Sequence, residues 1–80
     1  MKKIYETGGC RAYNLTIEGY PCTLVEFKSG WVSVGVPIGD NEADRAMFDK
    51  LVYHNQKLYN GTDSKTVIKN VREFIKNYKK

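Results

Sequence analysis

Hydrophobic residues recur with a period close to two as far as Pro37 and with a helical period from Glu42 onward. In the first part, Lys2–Thr7 reads as a short strand ended by Gly8-Gly9. Arg11–Glu18 alternates, with Tyr13, Leu15 and Ile17 on one face and Asn14, Thr16 and Glu18 on the other. Gly19-Tyr20-Pro21 supplies a turn, because proline fixes φ and donates nothing to a ladder. Cys22–Phe27 is a third strand, and Lys28-Ser29-Gly30 is a tight hairpin loop with glycine in the left-handed position. Trp31–Val36 is a fourth strand that sets Val32, Val34 and Val36 opposite Trp31, Ser33 and Gly35, and Pro37 ends it.

The helical part has start and stop signals. Asp40 or Asn41 caps a first helix, and Glu42 and Asp44 lie at its positive end. Its buried face is Ala43, Met47, Leu51 and Leu58, flanked by Ala46, Phe48 and Tyr59. The pattern runs unbroken over 41–60, with Gly61 in the position just past a helix C-terminus. Asp63 or Ser64 caps a last helix over 64–80. The order β-β-β-β-α-α predicts one α+β domain over residues 1–80: a meander over 1–37 forming a small antiparallel sheet of three to four strands, covered by two C-terminal helices.

Charge changes this picture only in the last helix. Ser64–Lys80 holds six cations and one anion, Glu73, whereas the other 63 residues sum to −1, giving +4 overall. Lys65, Lys69, Arg72, Lys76, Lys79 and Lys80 fall in one helical stripe, apart from the apolar stripe of Val67, Ile68, Val71, Phe74, Ile75 and Tyr78. One stripe docks the helix and the other faces outward. Lysines near a helix C-terminus are favoured by the helix dipole, so a solvated face explains the stripe as well as a contact surface does. As a contact surface it suits an acidic protein or, weakly and without base readout, a nucleic-acid backbone.

Chemistry is harder to find. His54 is the sole histidine and has no nucleophile or acid at a catalytic spacing. Cys10 and Cys22 are too few for a metal site with one histidine, and they read as thiols unless their strands bring them together in a disulfide. Asp40, Glu42 and Asp44 are accounted for by the helix start, and Gly8-Gly9-Cys10-Arg11 precedes no helix, so it fails as a phosphate loop. The expectation is therefore a protein without catalytic residues, metal or cofactor. Trp31, on the strand face opposite the valines, and Tyr20 are candidate contact aromatics. The competing reading has Trp31 capping the sheet edge or packing on Pro21 and Pro37.

Eighty residues suffice for a modest core but not for a deep pocket. Neither a secretory signal nor a membrane-length apolar run is present, which predicts a cytoplasmic protein with no membrane partner. The composition resembles that of AT-rich bacterial or phage genomes. Taken together, the sequence predicts a small non-catalytic binding protein of regulator or inhibitor type, an accessory protein of a phage or mobile element, docking on a protein partner. The alternative is a nucleic-acid-binding module, and self-pairing into a homodimer through a sheet edge or aromatic face fits either.

Overall fold

The computed structural model describes residues 1–80 as one antiparallel sheet with three helical segments. Strands β1 (Lys2–Glu6), β2 (Cys10–Ile17), β3 (Tyr20–Phe27) and β4 (Val32–Gly35) follow one another as a meander. Helices α1 (Glu42–His54) and α2 (Gln56–Tyr59) come next, then a two-residue strand β5 (Asn60–Gly61) and helix α3 (Ser64–Tyr78). The sheet order is β1-β2-β3-β4-β5, so the α+β architecture is as the pattern predicts, with one strand more.

The register of β2, β3 and β4 follows from the two hairpin turns that join them. Glu18 and Gly19 both have positive φ and form a two-residue turn that pairs Ile17 with Tyr20. The turn is thus one residue earlier than expected, and Tyr20 and Pro21 belong to β3. Pro21 pairs with Thr16 on one side, and β4 stops at Gly35 opposite Thr23, so no fourth-strand partner lacks the donor that proline cannot supply. In the β3–β4 hairpin Gly30 takes φ +96°, as expected. Its N–H donates to the Phe27 carbonyl at 2.9 Å, and the Phe27 N–H donates to the Trp31 carbonyl at 2.8 Å. Phe27 and Trp31 become cross-strand neighbours.

Cross-strand partners share a sheet face. Tyr13, Leu24 and Val34 form one row and Leu15 and Cys22 the next, with Ile17 opposite Tyr20. Leu24, Cys22, Val34 and Ile17 are buried, so this is the helix-covered face. Met47, Phe48 and Leu51 of α1 and Val67, Val71 and Ile75 of α3 complete the core. Tyr20 meets Phe48 edge-on, with ring centroids 5.0 Å apart, in a geometry that suits the two ring quadrupoles.

The single first helix expected over 41–60 is divided. Asn55 leaves helical geometry (φ −136°, ψ 44°) and satisfies the end of α1 twice: its N–H donates to the Leu51 carbonyl and its side-chain amide to the Lys50 carbonyl. The short α2 then redirects the chain. Leu58 and Tyr59 still reach the core, and the Tyr59 hydroxyl donates to the Val52 carbonyl at 3.0 Å. Asn60 and Gly61 are thereby free to pair with Ser33 and Val32. Gly61 is not a left-handed helix cap; it is a strand residue whose missing Cβ lets α3 approach, since a Cβ there would lie 3.1 Å from Val67 Cγ2. Ala43 and Ala46, expected on the buried side of the first helix or flanking it, are exposed.

Helix α3 begins at Asp63, whose carboxylate accepts from the Thr66 N–H at 3.2 Å and the Thr66 hydroxyl at 2.6 Å. The Thr66 hydroxyl first, then its N–H, hold this carboxyl below the ordinary aspartate value. A depressed folded pKa contributes stability that is present above the unfolded value and lost as pH falls through the folded one. Asp63→Ala is therefore expected to lower the urea midpoint at pH 7, by a gap that narrows as the pH drops below the normal carboxylate range. Equilibrium unfolding of both proteins across that range measures it, and a gap independent of pH would contradict the capping account.

Candidate functional site

All six cations of residues 64–80 are exposed. The helix expected over 64–80 ends at Tyr78 with Lys79 as its cap, and the five cations up to Lys79 divide into two groups. Near the C-terminus they meet the domain's own acids. Lys76 Nζ lies 3.5 Å from Glu18 Oε1 in the β2–β3 turn, and Lys79 Nζ lies 3.9 Å from Asp44 Oδ1 of α1. Lys79 also sits 4.6 Å above the centre of the Tyr20 ring. Contact with the Tyr20 phenol, with a smaller contribution from Asp44, holds the Lys79 ammonium above the ordinary lysine range. The first part of the helix is different. Lys65 and Arg72 have no carboxylate within 4 Å, and Lys69 has only Glu73 on its own helix at 3.9 Å. Three cations at i, i+4 and i+7 therefore form a line about 10 Å long that the fold leaves available. Lys80, beyond the end of α3, has no ion pair either.

Tyr20 is held by the fold. Its hydroxyl donates to Asp44 Oδ1 at 2.8 Å, its ring packs against Phe48, and the Lys79 ammonium lies over the ring. Its place on the helix-covered face follows from its pairing with Ile17. It joins the β2–β3 turn to the start of α1, and only part of its surface meets solvent.

Trp31 sits on the opposite side of the sheet and is 46% exposed. The register gives it company that the sequence alone does not reveal. Tyr5, Ala12, Val25 and Ser33 form one row of that face, and Cys10, Phe27 and Trp31 the next. Tyr5 is 54% exposed and Phe27 42%. Ala12 is buried although it lies outside the helix-side core, because Tyr5 and Val25 flank it. Tyr5 reaches this face through a bulge between Lys3 and Tyr5, which adds Ile4 and changes the alternation of β1. Phe27 has a readable signal: residues flanking a three-residue hairpin loop face each other.

The two carboxylates carried by strands, Glu6 and Glu26, pair with Arg11 on the other face. Glu6 also holds Lys3 at 2.7 Å and Arg11 at 3.1 Å. Lys2, opposite Asn14 at the corner of the edge strand, is the one strand charge on the aromatic face.

The other groups considered as chemistry stay apart. Cys10 lies beside Phe27 on the aromatic face and Cys22 beside Leu15 in the core, so the register separates them and both are free thiols. Burial pushes the Cys22 thiol upward, away from a reactive thiolate. His54 is exposed at the end of α1. A shallow depression of about 540 Å³ at one end of the sheet is lined by Glu6, Arg11, Glu26 and Asp63, among others. Its charges are mixed, and no three of the chain's His, Cys, Asp and Glu side chains gather as metal ligands. No helix is long and apolar enough to cross a membrane.

Compared with protein-family models, curated proteins and solved structures, the chain matches none.

Proposed function

We propose that this chain is a small non-catalytic binding protein of the regulator or inhibitor type, working in the cytoplasm by docking on the acidic surface of a protein partner. The accessory proteins of phages and mobile elements are the class it fits. The observation that carries the reading is the row Lys65, Lys69 and Arg72, exposed on α3 and making no ion pair with an acid outside that helix. Charges held this way steer association and favour a complementary acidic surface, at about 0.2–1 kcal/mol for each exposed pair. The exposed face around Trp31 is a second contact surface on the opposite side of the sheet.

A weak, largely non-specific nucleic-acid-binding module is the second reading, and the same three cations favour it. It places the phosphates on α3 and not on the aromatic face. Proteins that stack bases combine aromatics with cations along one groove, and here the sheet lies between the two.

A pull-down from native lysate separates the readings. The wild type is compared with a Lys65→Gln/Lys69→Gln/Arg72→Gln variant, with and without nuclease. The expected result is a protein retained after nuclease treatment by the wild type and released by the variant. Retention that disappears with nuclease supports the nucleic-acid reading. Retention that the variant leaves unchanged contradicts both.

A further inference from the structure

We infer that a second copy of this chain covers the aromatic sheet face, giving a face-to-face dimer whose two basic helices lie on opposite outer surfaces. The inference is independent of what α3 binds.

Four observations point to a copy of the same chain. A twofold contact presses a surface against itself, so the surface must not repel itself. This face meets that condition: neither Glu6 nor Glu26 lies on it, and Lys2 is at its corner. The α3 side, with six cations, does not. Second, the face carries a contiguous apolar patch. Tyr5, Val25, Phe27 and Trp31 gather at its β3–β4 hairpin end, and Ser33, Thr23 and Thr16 supply hydroxyls on the side toward the β2–β3 turn.

Third, its size suits a weak, concentration-dependent pair. Strands β1, β2, β3 and β4 have five, eight, eight and four residues, and at roughly 3.3 Å per residue and roughly 4.8 Å between strands their face covers about 400 Å². Two copies then cover about 800 Å² in all, the size of a weak, transient contact. Two sheets stack about 10 Å apart, which is room for interleaved Tyr, Phe and Trp rings.

Fourth, the edges offer no alternative route. Strand β1 has lysines at its first two positions and a bulge at Ile4, devices that discourage strand addition, and β5 has two residues. Pairing through the sheet therefore uses its face.

The test is sedimentation equilibrium of the full chain from about 1 µM to about 500 µM, a range suited to an interface of this size. Trp31 emission is followed over the same series, since it is the sole tryptophan. The expected result is a mass rising to twice the 9.2 kDa of the chain, with the emission moving to shorter wavelength as Trp31 leaves water. Trp31→Lys and Phe27→Lys, both at exposed positions, are each expected to stay monomeric throughout with unchanged circular dichroism. A wild type that remains monomeric at the top of the range overturns the inference. So does a dimer that both variants retain, or a monomer whose Trp31 emission is instead quenched by oligo(dT).

Discussion

Val71→Glu is expected to unfold the domain, while Arg72→Glu, one residue further along, leaves it folded. Val71 is fully buried at the middle of the apolar stripe of α3, between Val67 and Ile75, which are buried as well. A carboxylate there loses its water and meets only apolar neighbours, and either ionised or protonated it costs several kcal/mol. An 80-residue domain has a total stability on the order of 4–12 kcal/mol, at roughly 0.05–0.15 kcal/mol per residue. A cost of several kcal/mol removes most or all of that at the lower end of the range, where the unfolded state becomes populated. Arg72 points to solvent, has no ion pair, and is replaced by an equally good helix former, so its change is expected to stay within about 0.5 kcal/mol. Circular dichroism and urea unfolding of the pair decide it. Similar effects at the two positions would mean that α3 does not sit on the sheet by its valine side.

The second large effect is on binding. Poly-L-glutamate serves as a stand-in for an acidic protein surface and duplex DNA for a phosphate backbone. Neutralising Lys65, Lys69 and Arg72 together is expected to weaken binding to poly-L-glutamate by about threefold to 150-fold, since three exposed pairs contribute roughly 0.6–3 kcal/mol in sum. For DNA, three phosphate contacts predict a slope of about −2.7 in log K against log salt, which the triple variant flattens. Lys76→Gln is expected to have a smaller effect, because Glu18 already offsets that charge at 3.5 Å. Fluorescence anisotropy at low and moderate salt measures all three proteins. Equal losses from Lys76→Gln and from the triple variant would contradict the division of the helix into a free part and a paired part.

That division shows where the sequence stops being informative. The stripe itself is legible, because helical spacing alone puts Lys65, Lys69, Arg72 and Lys76 on one side. The pairing of Lys76 with Glu18 depends on a turn 58 residues earlier arriving beside α3, which no local pattern encodes. Tyr20 illustrates the same limit on a smaller scale. With the turn placed at Gly19-Tyr20-Pro21 it looks like an exposed loop aromatic. The turn at Glu18-Gly19 puts it in β3 facing Phe48 and Asp44.

The strands of the meander were legible because their alternation is regular and Gly30 marks the hairpin. Strand β5 was not, since two residues carry no period. The break in the first helix was hidden because Leu58 follows Leu51 by seven residues, the spacing a continuous helix would show. On the aromatic face, alternation alone identified Trp31, and a bulge at Ile4 concealed Tyr5.

The most direct measurement of the central claim is an amide chemical-shift map recorded while poly-L-glutamate is added to the folded protein. The account predicts shifts concentrated from Lys65 to Arg72 on the outer side of α3, fading toward Lys79 and absent at Tyr5, Phe27 and Trp31. Shifts centred on the sheet, or spread evenly over every lysine of the chain, would contradict it.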